Sequence, residues 1–180
     1  MAATKTKQIK QLVLLRHAKS NWDDPLLADI DRPLAKRGRR AGHRIAAWLK
    51  KQRIRPDVVL CSPAVRTRET LELIADVIAE TTPVVYDKGL YLAEMEDLLA
   101  HVRQVDGAAA CVMVIGHNPG MQDFAVALLR PDAKKNRAKL AAKFPTAAVA
   151  CFTVPIATWA KLELEEAVLT KFVKPAELDG

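Results

Sequence analysis

Cysteine, aromatic residues and long apolar runs are all scarce in this sequence. Three cysteines stand in 180 residues. Their number is odd, and Cys61, Cys111 and Cys151 each lie in or beside an apolar run. That pattern argues against a disulfide framework and for reduced, buried, small hydrophobes. There is no Cys-x-x-Cys and no close histidine pair, so a zinc-binding spacing is absent. Aromatic residues make up 5% of the chain and no nucleic-acid motif accompanies them, so charge alone speaks for a nucleic-acid partner. No apolar run approaches the roughly 20 residues of a membrane span. Nor does an apolar segment precede residue 12, and the expectation is a cytoplasmic protein without a membrane partner. Internal repeats and low-complexity segments are also missing.

What is present is enough for one domain. Half of the residues are hydrophobic, which supplies a full core. The net charge of +7 is unevenly placed: Arg16 to Arg55 holds 12 Lys or Arg against 4 Asp. A basic half favours an acidic partner: phosphate, an acidic protein face or nucleic acid. Met1 to Lys10 has no periodicity and reads as a flexible arm, with a single domain over 11–180.

The chain is organised around Leu12-Val-Leu-Leu-Arg-His-Ala-Lys-Ser20. An apolar run that ends in a polar cluster reads as a strand buried on both faces, here Gln11 to Arg16. A loop rich in Asp follows, and then a helix over Leu34 to Gln52 with Ala41, Ile45, Trp48 and Leu49 at helical spacing. Val58 to Cys61 is a second strand. Ser62 and Pro63 suit an N-cap and first helical position, so a helix is expected to begin there. Val84 to Tyr86 is a third strand, Glu94 to Gln104 a helix and Cys111 to Ile115 a fourth strand. Asn118-Pro119 repeats the cap signature before a helix through Leu129. Leu129 to Pro145 shows no pattern that fixes its structure. Ala148 to Val154 and Leu169 to Val173 complete the strands. This order predicts a three-layer α/β/α domain with a mainly parallel central sheet.

Ligands of such sheets bind beyond the carboxyl ends of the strands. Arg16 and His17 leave the first strand there, Ser62 and Arg66 follow the second, and His117 follows the fourth. Two guanidiniums, two imidazoles and a helix N-terminus on one edge make an anion site, and phosphate suits it best. A neutral histidine with one free nitrogen also allows phosphoryl transfer through a covalent intermediate.

The segments carrying these residues resemble a known family. Arg16-His17-Ala18-Lys19-Ser20 is similar to the Arg-His-Gly-x-Ser signature of the histidine phosphatase superfamily, the phosphoglycerate-mutase-like fold. Pro33-Leu34 with Arg37-Gly38, Ser62-Pro63-Ala64-Val65-Arg66 with Thr70, and Gly116-His117 resemble its later motifs, in order. The resemblance implies a histidine phosphatase domain over 11–180, with His17 as nucleophile and Arg16, Arg66 and His117 completing the phosphate pocket. It also implies Ser20 and Asn118 as substrate contacts, and no metal or organic cofactor. Within the superfamily, Arg-His-Ala-Lys-Ser-x-Trp and Gly116-His117-Asn118-Pro119 resemble the SixA-type phosphohistidine phosphatases. The implied partner is a phosphorylated protein, namely a histidine phosphotransfer domain. Alternatives are a small phosphorylated metabolite (sugar phosphate or nucleotide) and a non-catalytic phosphate-binding module.

Three departures stand out. Ala18 replaces the usual Gly, which predicts a less permissive backbone. Asp23 stands where mutases often have Asn. No residue matches the family's general acid, since Leu90 to Glu94 does not fit the mutase motif and Asn118 stands where acid phosphatases have Asp. Glu94, Asp23 and Asp31 are the carboxyls within reach by sequence. A missing acid favours phosphohistidine, whose imidazole leaving group needs less help than an alkoxide.

Overall fold

In the computed structural model, residues 8–178 are described. The apolar run becomes β1, Lys10–Arg16, and Leu12 to Leu15 are at most 1% exposed. Each of those side chains stabilises the fold by roughly 1.5–3 kcal/mol on leaving water. β1 pairs in parallel with β4, Cys111–Gly116, and antiparallel with β5, Val149–Val154. Three further strands, β2 at Val58–Cys61, β3 at Val84–Tyr86 and β6 at Val168–Val173, extend the sheet to the order β3-β2-β4-β1-β5-β6. β1 to β4 run parallel; on one side β5 pairs antiparallel with β1, and β6 pairs antiparallel with β5.

Successive residues of the central strands serve opposite cores, as the two-residue period of a strand requires. Leu12, Leu14, Leu60, Val112 and Val114 face one core. It is covered by α3 (Met95–Arg103), α4 (Gly120–Ala127) and α5 (Lys134–Ala142) through Leu98, Val102, Phe124 and Leu140. Val13, Leu15, Val59, Met113 and Ile115 face the other, under α1 (Lys36–Lys51) and α2 (Val65–Leu73) through Ile45, Leu49 and Leu71. All three cysteines are free and buried in this second core. The expected three-layer α/β/α architecture is observed. Among the described residues no helix is long and apolar enough to cross a membrane.

Several boundaries differ from the sequence reading. Lys10, assigned to the arm, opens β1, and residues 1–7 lie outside the described set. α2 begins at Val65 rather than at Pro63 and ends at Leu73, before a short 3-10 turn at Ala75–Val77. Pro119, in a cis peptide bond with Asn118, is the residue preceding α4. The unpatterned connection contains α5, which buries Leu140 alone among its nine residues. A helix with one buried side chain leaves no stripe to detect.

Candidate active site

The carboxyl ends of β1, β2 and β4 form one wall of a cavity of about 290 Å³. Arg16, His17, Lys19, Ser20, Asp29, Arg66, His117, Asn118 and Thr146 line it, with the exposed Trp22 and Leu92 at the rim. Every residue predicted for the site therefore reaches it.

His17 is 7% exposed and its Nδ1 lies 2.7 Å from the Ala18 carbonyl oxygen. A carbonyl only accepts, so Nδ1 carries the proton and Nε2 keeps its lone pair. Burial, with Arg66 and Arg16 nearby, lowers the His17 pKa from 6.5 to about 4, against the opposing pull of the Ala18 carbonyl. The ring is neutral at pH 7, as a nucleophile requires. The ring of His117 stands 5.1 Å away, centre to centre. Arg66 Nη2 donates to its Nδ1 at 3.2 Å, which leaves Nε2–H to donate to Ser62 Oγ at 2.7 Å. Burial, then the charges of His17 and Arg66, lower its pKa to about 3. An arriving phosphate dianion acts in the opposite sense on both rings.

The loop after β1 is held from below. Thr70 Oγ1 accepts from the Ala18 N–H at 3.0 Å and donates to the Arg66 carbonyl at 2.6 Å. α2 thus ties the nucleophile's loop to the arginine that faces it. Glu69, one residue earlier, accepts from the Leu34 N–H at 2.6 Å and from Arg39. Gly38 on α1 lies against the Lys19 backbone, where a Cβ would overlap the Lys19 carbonyl oxygen. That close approach explains glycine in this motif. Ala18 is fully buried and is not among the positive-φ residues, so this backbone does not demand glycine. Leu92 and Ala147, beside the cavity, do have φ of 50° and 61°. Left-handed backbone at non-glycine residues collects at functional sites.

Arg16 Nη1 donates to the Phe144 carbonyl at 2.8 Å, while its buried Nε has no hydrogen-bond partner among the described residues. Ser20 Oγ accepts from Trp22 Nε1 at 3.0 Å. Asn118 does not cap α4. Its Nδ2 donates to Gln122 Oε1 and to the Phe144 carbonyl, and its Oδ1 is buried without a partner among the described residues. Ser62 does not cap α2 either: Ala64 is the residue preceding the helix, and the Ser62 hydroxyl accepts from the Ala64 N–H at 3.4 Å and from His117 Nε2–H. The α4 amides are also not aimed at the cavity, and that of Met121 donates back to the His117 carbonyl at 3.0 Å.

Asp29 and Tyr91 escaped the sequence reading. Asp29 sits in a 3-10 turn, Asp29–Asp31, and accepts through Oδ2 from Arg66 Nη2 at 2.9 Å and from the Tyr91 hydroxyl at 2.6 Å. Its carbonyl takes Arg66 Nη1 at 2.5 Å. The Tyr91 bond, with Arg66, holds the Asp29 carboxyl below the usual carboxylate range, so it is ionised. The three carboxyls considered as acids lie elsewhere. Glu94 is the exposed N-cap of α3, Asp31 is exposed, and Asp23 lines a neighbouring groove with Lys19 and Arg37. The usable signal was weak: Asp29 and Asp31 straddle one apolar residue in a loop without periodicity.

The model of the histidine phosphatase superfamily (branch 1) matches residues 12–105, which hold Arg16, His17 and Arg66. This chain belongs to the histidine phosphatase superfamily. An uncharacterised protein of Mycobacterium leprae is 32% identical over 165 residues, covering 89% of this chain and 99% of the relative. Phosphohistidine phosphatase SixA of Escherichia coli is 32% identical over 118 residues, 61% of this chain and 68% of that one. A solved structure from Nakamurella multipartitia, described as a candidate SixA phosphohistidine phosphatase, has a TM-score of 0.81 at 30% identity, covering 93% of this chain and 96% of its own. The fold is phosphoglycerate-mutase-like and the chain falls in the SixA-type branch of this phosphatase superfamily.

Proposed function

We propose that this histidine phosphatase removes phosphate from histidine on a protein partner, a phosphotransfer domain, through a covalent phospho-His17 intermediate. The observation that carries this reading is the His17 tautomer: Nδ1–H is fixed on Ala18 and Nε2 makes no hydrogen bond among the described residues. Arg16, Arg66 and His117 surround the phosphoryl group, with Ser20 and Asn118 as further contacts. His17 Nε2 attacks phosphorus, and the substrate imidazole leaves with the P–N electron pair. Arg16 and Arg66 offset charge on the equatorial oxygens. Water then attacks phosphorus, breaks the bond to Nε2 and regenerates neutral His17. The guanidiniums do the work of charge neutralisation in this scheme, so a chelator such as EDTA is expected to leave the rate unchanged.

The absence of an acid in the cavity supports phosphohistidine over phosphomonoesters, because the carboxylate present, Asp29, is ionised. The basic surface from Arg16 to Arg55 suits an acidic partner and speeds its encounter. The name of the Escherichia coli relative supports the same substrate. The test compares turnover of a phosphohistidine-bearing phosphotransfer domain with a panel of sugar phosphates and nucleotides, for the native protein and His17→Ala. We expect phosphohistidine to be preferred, a phosphorylated His17 by mass spectrometry, and a loss of at least about 10³-fold in His17→Ala. Equal phosphate release by both proteins would overturn the nucleophile assignment. Turnover of one phosphomonoester alone would overturn the substrate.

A further inference from the structure

A carboxylate inside a phosphate cavity is a puzzle, because it repels the substrate's charge. Its position resolves the puzzle. Arg66 and His117 are 4% and 2% exposed, at the floor, whereas the Asp29 side chain is 40% exposed, at the mouth. A phosphoryl group seated on the floor points its leaving group toward the mouth. Asp29 Oδ2 is taken up by Arg66 and Tyr91. Oδ1 forms a loose ion pair with Arg32 Nε at 3.8 Å, beyond hydrogen-bond distance, and that guanidinium is stacked over Trp22 at 4.1 Å. One carboxylate oxygen therefore makes no hydrogen bond among the described residues, and Trp22 lines the same cavity.

We propose that Asp29 is the residue that selects a phosphorylated imidazole, by accepting the N–H of its cationic ring. This deepens the phosphohistidine reading and rests on it. The reactive substrate ring carries a proton on the nitrogen not bonded to phosphorus. His17 Nε2 forms the new N–P bond, the old N–P bond breaks, and its electron pair stays on the departing ring, which leaves neutral. The positive charge passes to the ring of phospho-His17, whose Nδ1–H remains on the Ala18 carbonyl. The two imidazoles are thus treated alike: each N–H meets an oxygen, a carbonyl for the enzyme's ring and a carboxylate for the substrate's. Asn118 Oδ1 also has no hydrogen-bond partner among the described residues, but it is buried away from the open cavity and is neutral, so it holds a cation less strongly. An alkoxide leaving group has no N–H to offer and gains nothing from Asp29.

The test measures kcat/KM for a phosphohistidine peptide and for p-nitrophenyl phosphate, in the native protein, Asp29→Asn and Asp29→Glu. Both substrates place a phosphoryl group on Arg66, so loss of the Asp29–Arg66 pair affects them alike. We expect the ratio of phosphohistidine to p-nitrophenyl phosphate turnover to fall about tenfold to a hundredfold in Asp29→Asn, as for a lost hydrogen bond to a charged group, and to recover in part in Asp29→Glu. A smaller change in the ratio, whichever rate moves, overturns the assignment. The functional reading fails separately, if the native protein turns over p-nitrophenyl phosphate and not the phosphohistidine peptide.

Discussion

The two ends of the same parallel strands bury charge in opposite ways. At the amino end of β1, Lys10 is 3% exposed, yet its Nζ donates to the Gly107 and Ala109 carbonyls at 2.7 and 2.8 Å and lies over the Trp159 ring. Nearby, Asp57, which is exposed, accepts through Oδ2 from the Ala110 and Cys111 amides at 2.8 Å. These partners come from the chain itself, and they hold loops to the sheet. At the carboxyl end, Arg16 Nε is buried with no hydrogen-bond partner among the described residues, and His17 Nε2 makes no hydrogen bond among them. A buried charge with satisfied valences is a strut; one with spare donors is a binding site. Burial alone would rank Lys10 with Arg66.

Substitutions at the two ends should separate activity from stability. The largest effect is expected for Arg66→Ala, which removes the guanidinium shared by Asp29 and His117 and should lower kcat/KM about 10²- to 10³-fold. Circular dichroism of the same sample checks that the fold survives. Ser62→Ala strips the acceptor from His117 Nε2–H and should lower kcat/KM by about tenfold, roughly the worth of one buried hydrogen bond. Lys10→Ala reverses the pattern. The Gly107 carbonyl loses its donor and the Ala109 carbonyl keeps only Trp159 Nε1–H, so urea unfolding should show a loss of about 1–3 kcal/mol while kcat/KM per folded molecule stays within about twofold. A large fall in activity there would erase the distinction between the ends.

A smaller, pH-dependent effect belongs to the pocket end. His17 and His117 have folded pKa values of about 4 and about 3, below the ordinary 6.5. The unfolded chain binds these protons first, so the stability that accompanies the neutral rings is complete above about pH 6.5 and declines as pH falls through about 4. Urea midpoints at pH 7 and pH 5 should therefore differ less in His17→Asn than in the native protein. Nitrogen NMR of the imidazoles checks the titrations directly.

Strand positions were legible because an apolar run framed by polar residues leaves few choices, and β2 and β3 match the reading to the residue. Arg16, His17, Arg66 and His117 were legible because strand ends in a parallel sheet share an edge. The helix starts were misread twice for one reason. Ser62 and Asn118 carry good capping side chains, but the first is shared between His117 and the Ala64 N–H ahead of the helix, and the second holds the Phe144 carbonyl and Gln122. Local propensity lost to the site's own hydrogen bonds. Asp29 escaped because its partners, Arg66 and Tyr91, are 37 and 62 positions away.

The buried cysteines turn the core into its own reporter. Cys61, Cys111 and Cys151 sit on β2, β4 and β5, and burial pushes each thiol up to about 12. A thiolate-seeking reagent at neutral pH meets neither an accessible nor an ionised sulfur while the sheet is closed. Labelling rates would therefore clock the opening of three strands on the two sides of β1, one sulfur per strand, without any engineered probe.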